Sequence, residues 1–392
     1  MANSVFDSLP SDPELVLRNT VTPRIFVAAT RMDDGKTTTA LGLFAALRER
    51  FPRMGYIKPV GQRFVEIEGA KIDEDTVLIN DTYSVRTPLR AMSPIAVEPD
   101  FTRRYLSGGI THQLHDRVRT AFDVAAWEKD FVIIEGTGHA GVGSVFDLSN
   151  AMVAKLLKAK VIIVSRGGIG RPIDEISMNL ALFEKYGVEV VGAIINKVMP
   201  DKMEQLREYT SIGLAKLGLP LLGMIPLNTE LYKPTVNQAC VQLKGQFLAG
   251  AQHKRRRIAK IGVGAMSSRH AEHLLAPGTL VITPGDREDM IMMIMNETMP
   301  SRGQIAGVVL TDGILPHESV LELIRQRAIP FISTTADVSS ATTTIARMTV
   351  KTEVGDSDKI GMIQSLIHEH VQVDRLVDLV LEGPVKQLHL EM

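Results

Sequence analysis

The sequence predicts an α/β protein, with a doubly wound, mostly parallel sheet in a large first domain and a smaller α/β domain after it. The first observation is a set of short, continuously apolar segments, typical of strands covered on both faces. They lie at 24–29, 54–58, 131–134, 160–165, 190–195 and 222–225. The second observation is that helical patterns separate these segments, as at 38–50, 148–157 and 173–185, which is the order of a doubly wound sheet. The third is that the alternation restarts after a basic run that begins at Lys254.

These patterns divide the chain into an N-terminal extension at 1–22, a first domain at 23–250, a second domain at 256–355 and a helical tail at 356–392. A polar, proline-bounded stretch at 61–130 is expected to be an inserted helical segment where a substrate could dock. The second domain should contain short strands at 258–263, 279–283, 307–311 and 331–333. Its helices are expected at 270–275, 287–296, 318–327 and 342–347.

The composition excludes several classes of partner. The chain has 392 residues and a net charge of −1, so no overall field attracts nucleic acid or an anionic membrane. The single cysteine, Cys240, excludes an intramolecular disulfide and is typical of a reducing compartment. Since no segment resembles a signal peptide or is apolar over a membrane-spanning length, we expect a cytoplasmic protein without nucleic-acid or membrane partners.

The segment at 32–39 has the character of a phosphate-binding loop, because it follows an apolar strand and places Gly35-Lys36-Thr37 before a helix-prone run. In such a loop, backbone N–H groups bind phosphate oxygens, the lysine reaches the β- and γ-phosphates, and the threonine hydroxyl coordinates Mg²⁺. The usual glycine five places before Gly35 is replaced by Thr30, so the loop is a variant. An ordinary helix N-terminus with polar caps is the alternative. The predicted nucleotide-binding residues of the loop are Asp34, Gly35, Lys36, Thr37 and Thr38.

Four further residues are candidates for chemistry in the first domain. Lys58 ends the second strand, at the sheet edge where ligands bind, although a lysine there can also extend into solvent. Asp75 lies in an acidic stretch that either supplies a Mg²⁺ carboxylate or is simply solvated. Glu135 ends an apolar strand and precedes glycines, an arrangement in which the carboxylate binds Mg²⁺ directly or through water. Asn196 ends another strand, and its amide either matches the edge of an adenine or caps a backbone group.

The order of these motifs resembles dethiobiotin synthetase and the related cobyrinic acid amide synthases, over about residues 24–230. The matching features are the variant loop, Lys58-Pro59-Val60, the strand that ends at Glu135 and the strand that ends in an asparagine. In that family Ala29 takes the place of a glycine with the same six-residue spacing. The family's serine-bearing loop after Lys-Pro-Val is replaced by Gly61-Gln62-Arg63-Phe64.

The resemblance implies an enzyme that uses ATP to phosphorylate a small carboxylate or carbamate. It makes Lys36 and Lys58 the expected catalytic residues, since Lys36 would neutralise the transferred phosphoryl group and Lys58 would orient the carbamate or carboxylate. Thr37, Asp75 and Glu135 would hold Mg²⁺, and Asn196 would bind the base. Because the diamine loop is altered and no glutaminase domain follows, neither dethiobiotin synthetase nor cobyrinic acid amide synthase itself is expected.

The second domain resembles a DRTGG domain. Asp286-Arg287 is similar to the family's Asp-Arg element, and Thr311-Asp312-Gly313 is similar to its Thr-Gly-Gly element. The resemblance makes Asp286, Arg287, Thr311 and Gly313 a possible ligand site. The two domains together resemble the N-terminal half of long phosphotransacetylases. The acetyl-transferring domain of those enzymes has no counterpart in this sequence, so phosphotransacetylase activity is not expected.

A methionine-rich helix is predicted at 290–295 in this second domain of about a hundred residues. So small a domain has little interior in which to bury such a helix on all sides, and methionine packs well against a partner surface. We therefore expect a homodimer or a higher homo-oligomer.

Two functions stay open at this point. One is an ATP-dependent ligase or phosphoryl-transfer enzyme with a small carboxylate or amine substrate, supported by Lys36, Thr37, Lys58 and Glu135. The other is a non-catalytic, nucleotide-responsive regulatory or assembly protein, supported by the DRTGG resemblance and the altered loop after Lys58. Both need ATP and Mg²⁺, so turnover that depends on an added small substrate would separate them.

Overall fold

The computed structural model of the protein describes residues 18–109, 113–297 and 304–382. The chain forms two compact units, one from the residues up to 227 together with those from 352 onward, and the other from residues 228–351. The second unit is therefore inserted into the sequence of the first. The sequence-based division ended the first domain at 250 rather than 227, and it treated the segment after 355 as a separate tail, whereas the residues from 352 onward pack with the first unit.

The strands, in chain order, are β1 Arg24–Ala29, β2 Met54–Ile57, β3 Val60–Gly61, β4 Phe64–Ile67, β5 Ala70–Asp73, β6 Ile95–Ala96, β7 Phe131–Glu135, β8 Lys160–Arg166, β9 Val190–Val198, β10 Leu221–Pro226, β11 Gln246–Ala249, β12 Lys260–Val263, β13 Thr279–Pro284, β14 Gly307–Thr311 and β15 Phe331–Ser333. The α-helices are α1 Lys36–Arg50, α2 Glu74–Tyr83, α3 Leu89–Met92, α4 Phe101–Leu106, α5 Leu114–Ala125, α6 Asn150–Leu156, α7 Gly170–Lys185, α8 Met203–Lys216, α9 Val236–Gln242, α10 Glu288–Glu297, α11 Glu318–Arg325, α12 Val338–Arg347, α13 Ser357–His370 and α14 Val373–Leu381. Short 3₁₀ turns occur at Ser144–Phe146, Pro200–Lys202, Thr229–Tyr232, Ala251–His253, Ser268–His270 and Glu272–Leu275.

The first unit is built on a parallel sheet in the order β10-β9-β8-β1-β7-β2. The residues of β1, β2 and β7 are all buried, which agrees with their continuous apolar sequences. The chain leaves β1 toward β2 on one side and later passes to β8 on the other. The carboxyl ends of β1 and its neighbours therefore form the crevice where ligands bind in such sheets. The predicted doubly wound α/β architecture is confirmed.

The stretch at 61–130 contains the expected helices and also a β-hairpin that the sequence analysis did not anticipate. In this hairpin β4 and β5 pair antiparallel, with Phe64 opposite Asp73. Glu68 and Gly69 form the turn, with φ angles of 49° and 69°, as a two-residue hairpin turn requires. The hairpin ends at Asp73, directly before α2, and this brings the acidic segment to the ligand edge of the sheet.

The helical tail belongs to the first unit. Helix α13 packs on α1, where Ile367 is 1% exposed and lies so close to Gly42 that a Cβ atom on the glycine would be 2.2 Å from Ile367 Cγ1. At the other end, Lys160 Nζ donates hydrogen bonds to the carbonyl groups of Leu379 at 2.8 Å and Glu382 at 2.7 Å. The tail therefore contacts the helix that begins at Lys36.

We expect Ile367→Ala to lower the free energy of unfolding of the first unit by about 3 kcal/mol, since it removes buried methyl groups and leaves a cavity between α13 and α1. Urea unfolding followed by circular dichroism measures the change. Met362→Ala is the matched control, because Met362 is on the same helix and is 36% exposed. Equal stability of the two variants would contradict the packing role of Ile367.

The second unit contains a five-stranded sheet in the order β11-β15-β14-β13-β12, in which β11 is antiparallel and the other strands are parallel. Its core includes Met290, Ile291, Ile294 and Met295 of α10, and Met292 and Met293 pack against that core. The methionine-rich helix is thus largely covered within its own unit. Self-association stays a prediction that this helix does not support.

The predicted helix at 270–275 is replaced by two 3₁₀ turns. Pro277 disfavours helical geometry in the residue before it, and Ala276, which ends the second turn, is indeed extended. Among the residues that the structure describes, no helix has the length and apolar character needed to cross a membrane.

Candidate functional site

The loop between β1 and α1 has the backbone of a phosphate-binding loop. Gly35 has a φ of 100° and precedes the first residue of α1. A Cβ atom at Gly35 would lie 2.1 Å from Asn196 Nδ2, so both the conformation and the space require glycine. The N-terminus of α1, with its unpaired N–H groups, is directed by this turn to the carboxyl edge of the sheet, where it can bind an anion.

Lys36 lies over this loop. Its Nζ atom donates a hydrogen bond of 3.3 Å to the carbonyl oxygen of Arg31, and the residue is 8% exposed. Burial lowers the pKa of Lys36, whereas the nearby Glu135 carboxylate raises it. The ammonium is thus held beside the positions where phosphate oxygens would bind.

Thr37 and Glu135 are brought into contact by the pairing of β1 with β7. Thr37 Oγ1 donates to Glu135 Oε1 at 2.7 Å, and the hydroxyl of Tyr56 donates to Glu135 Oε2 at 2.8 Å. Burial raises the pKa of Glu135, and the Lys58 ammonium lowers it. Both oxygens of this carboxylate therefore have fixed directions.

This pair of oxygen ligands fits a Mg²⁺ ion that arrives with a nucleotide. In the described part of the chain, no group of three or more His, Cys, Asp or Glu side chains could hold a metal ion by itself. Nucleotide-bound Mg²⁺ needs only one or two protein carboxylates, because phosphates and water supply its other ligands. The Thr37 hydroxyl and Glu135 carboxylate have the required chemistry.

Lys58 does not extend into solvent. Its Nζ atom contacts Asp75 Oδ2 and lies 3.1 Å from Asp73 Oδ1 and 3.6 Å from Glu135 Oε1. Burial lowers the pKa of Lys58, but the attraction of Asp75, Glu135 and Asp73 outweighs it and raises the pKa above its ordinary value. The structure thus joins Lys58, Asp75 and Glu135, three of the residues that the sequence analysis selected.

Asp73 was not selected as a site residue. It is 2% exposed, and burial raises its pKa while Lys58 lowers it. Its carboxylate also accepts the N–H of Asp75 at 3.0 Å and so caps α2. The one signal in the sequence is its position two residues before Asp75, at the start of a helical segment.

Asn196 contacts the loop itself. Its Nδ2 group donates to the carbonyl oxygen of Asp34 at 2.9 Å, and its Oδ1 atom accepts the N–H of Lys197 at 2.8 Å. Lys197 has a φ of 58° and donates to the carbonyl oxygen of Asp33. The end of β9 therefore holds two peptide groups of the phosphate-binding loop, and adenine binding by Asn196 stays a prediction.

The remaining predicted loop residues have local roles. The Asp34 side chain accepts a hydrogen bond of 2.7 Å from Thr30 Oγ1, and burial raises its pKa. Thr38 is partly exposed in the first turn of α1. Their participation in nucleotide binding stays a prediction.

The four candidate residues of the second unit lie at the ends of the neighbouring strands β13 and β14, with Thr311 as the last residue of β14 and the other three after the strands. Arg287 donates to the carbonyl oxygens of Gly264 at 3.3 Å and Met266 at 2.7 Å, and it pairs with Asp289. Thr311 Oγ1 donates to Asp312 at 2.6 Å. Arg287 thus stabilises the loop after β12. Asp286 is exposed. Gly313 has a φ of 67°, in the left-handed region. A ligand site at these residues stays a prediction.

A phosphate-binding loop at the switch point of a parallel sheet, with Thr37 in contact with a strand-end carboxylate, defines a P-loop nucleotide-binding protein. The chain belongs to an AAA domain family, AAA_26, whose model matches residues 23–235. A DRTGG domain model matches residues 239–348. The resemblance to a P-loop domain fused to a DRTGG domain, as in the N-terminal region of long phosphotransacetylases, is confirmed.

Two curated relatives are named phosphate acetyltransferase. The protein from Nitrosomonas europaea is 26% identical over 363 residues, which cover 90% of this chain and 51% of the relative. The protein from Pseudomonas putida is 28% identical over 362 residues, which cover 88% of this chain and 50% of the relative. The chain thus spans about half the length of the curated relatives it matches.

A solved plasmid partition protein from Borrelia burgdorferi, bound to AMPPNP, is 13% identical with a TM-score of 0.35 and covers 54% of this chain and 89% of that chain.

These relatives correct one expectation. The sequence, in which no acetyl-transferring domain is recognisable, predicts that phosphotransacetylase activity is absent. That expectation was wrong, because proteins named phosphate acetyltransferase match about 90% of the chain. The relationship to those enzymes extends over both units of the chain.

Proposed function

We propose that the first unit binds a nucleoside triphosphate with Mg²⁺, and that this binding controls a reaction of the phosphate acetyltransferase type. The observation that carries the first part is the contact of 2.7 Å between Thr37 and Glu135 at the N-terminus of α1. Lys36 would neutralise phosphate charge, and Thr37 with Glu135 would hold the metal ion, which supplies further charge neutralisation when bound.

The proposed control by the nucleotide is supported by the packing of the helical tail on α1. Helix α13 packs on α1, the helix that begins with Lys36 and Thr37. The inserted second unit is joined covalently to the first through β10 at one end and the segment before α13 at the other. A displacement of α1 by a bound nucleotide would therefore be transmitted to α13, since packed helices move as bodies.

The geometry gives less support to ATP-dependent activation of a small carboxylate or carbamate. That chemistry would require Lys58 to bind the acceptor, but its ammonium already faces three carboxylates and its side chain is 9% exposed. An anionic acceptor would have to approach Asp73, Asp75 and Glu135 against like charge. We therefore favour nucleotide control of an acetyl-transfer reaction over ATP-dependent activation of an acceptor.

Calorimetry with AMPPNP, with and without MgCl₂, tests the binding part, for which we expect saturable binding that Mg²⁺ strengthens. The second part is tested by measuring acetyl phosphate formation from acetyl-CoA and phosphate, with and without saturating ATP and Mg²⁺. A rate that changes with ATP supports the proposal. No turnover under either condition would contradict the acetyl-transfer part, and no AMPPNP binding would contradict the whole proposal.

A further inference from the structure

The Lys58 ammonium has more carboxylate partners than one positive charge can balance. It contacts Asp75 and lies within 3.6 Å of oxygens of Asp73 and Glu135. The side chains of these four residues are between 1% and 13% exposed, and Asp75 is the most exposed of them. Two of the three carboxylates, Asp75 and Glu135, are predicted metal ligands. The third, Asp73, is not.

Asp73 is fixed in its position by the surrounding backbone. Its Oδ1 atom accepts the N–H of Asp75 at 3.0 Å, and its own N–H donates to Ser93 Oγ at 3.0 Å. Its carboxylate occupies the space beside Gly61, where a Cβ atom would lie 2.6 Å from Asp73 Oδ2. The glycine after Lys58-Pro59-Val60, which departs from the resembled family, thus leaves room for this extra carboxylate.

The ammonium and a metal ion would compete for the same oxygens. If Thr37, Glu135 and Asp75 are to hold Mg²⁺, the Lys58 ammonium must give up its contacts to Asp75 and Glu135. The ammonium and the metal ion are both positive and would repel each other at such distances. Lys58 is too deeply buried for its ammonium to be solvated without rearrangement, and a buried cation without a partner is unfavourable. The Asp73 carboxylate is not a predicted metal ligand, and its Oδ1 atom is already 3.1 Å from Lys58 Nζ. It would therefore keep a partner beside the buried ammonium while Asp75 and Glu135 bind the metal ion.

We propose that Asp73 is a positioning residue that retains the Lys58 ammonium when Asp75 and Glu135 turn to a nucleotide-bound metal ion. The inference rests on the proposed function, because it assigns a role to Asp73 within the same site. It explains why a third buried carboxylate faces one lysine. It also keeps the charge of Lys58 beside the phosphate site in both states of the protein.

The experiment compares wild type with Asp73→Asn in the full chain. Asparagine caps a helix about as well as aspartate and has nearly the same volume, so the substitution removes mainly the charge. We expect the Mg²⁺ concentration that half-saturates AMPPNP binding to rise about tenfold, because Lys58 then competes for Asp75 and Glu135. AMPPNP affinity measured in EDTA should stay the same. Asp81→Asn, at an exposed position of the same helix, is the matched control and should behave as wild type.

A second variant shows whether Asp73 acts through Lys58. In Lys58→Met/Asp73→Asn the competing ammonium is absent, so the half-saturating Mg²⁺ concentration should return to the wild-type value or below it. The inference is overturned if Asp73→Asn leaves the Mg²⁺ requirement unchanged, or if the double variant fails to reverse the increase. Wild-type protein that binds no AMPPNP would overturn the proposed function and this inference together, whereas normal wild-type binding with an unaffected Asp73→Asn overturns the inference alone.

Discussion

Lys36→Ala should weaken the binding of Mg²⁺-AMPPNP about a hundredfold, which corresponds to about 3 kcal/mol. Lys36 is 8% exposed beside the phosphate-binding loop, and a charge-assisted hydrogen bond in such a place is among the strong ones. In the structure, the ammonium donates a hydrogen bond of 3.3 Å to the backbone carbonyl of Arg31. It can therefore turn to a phosphate oxygen without breaking an ion pair. Isothermal calorimetry measures the change.

Lys202→Ala is the matched control, since Lys202 is an exposed lysine of a 3₁₀ turn in the same unit and should have no effect on affinity. The Lys36→Ala variant must also be shown to unfold at the wild-type urea concentration, so that lost affinity is not a loss of fold. Wild-type affinity in a folded Lys36→Ala protein would remove Lys36 from the nucleotide site and would contradict the proposed function.

The fold could be predicted largely because the central strands are apolar on both faces. Strands β1, β8, β9 and β10 were anticipated to within a few residues, since no amphipathic helix has such continuous runs. The hairpin of β4 and β5 escaped prediction for the opposite reason. Val65 is 41% exposed, and the turn is Glu68-Gly69 rather than one of the strongly favoured asparagine or aspartate turns.

The contact between Thr37 and Glu135 is of the kind that a sequence can predict, because Glu135 ends β7 and Thr37 lies in the first turn of the helix that follows the loop after the neighbouring strand β1. The role of Asp73 could not be predicted in this way. It depends on a helix cap, on the absence of a side chain at Gly61 and on the direction of Lys58, and each of these is a property of the folded chain. Asn196 is a similar case, since its partner Asp34 is 162 positions away in the sequence.

Lys58→Met should destabilise the first unit by about 3–5 kcal/mol near pH 8, because it leaves buried carboxylates without their cation. Methionine has a similar length and no charge, so the cavity left is small and the effect is electrostatic. Urea unfolding of the full chain measures the loss, with Lys216→Met, at an exposed position of α8, as the control. Lys58→Met/Asp73→Asn should recover part of the loss, since one buried negative charge is removed with the positive one.

The loss of stability in Lys58→Met should depend on pH, and the pKa shifts of the buried carboxylates determine the direction of that dependence. Burial raises the pKa values of Asp73 and Glu135 in the folded protein, and Lys58 holds them down, so removal of the lysine must raise both pKa values further. A group whose pKa is raised by folding binds more protons in the folded state, and its contribution to stability is therefore lost as the pH rises through the folded-state pKa. The pKa of Lys58 is itself raised, so in the wild type the lysine stays charged at pH 8.

The difference between Lys58→Met and wild type should consequently be largest at pH 8 and smaller at pH 5, where the buried carboxylates of the variant take up protons. A deficit that grows as the pH falls would show that the loss arises from packing and not from the uncompensated carboxylates.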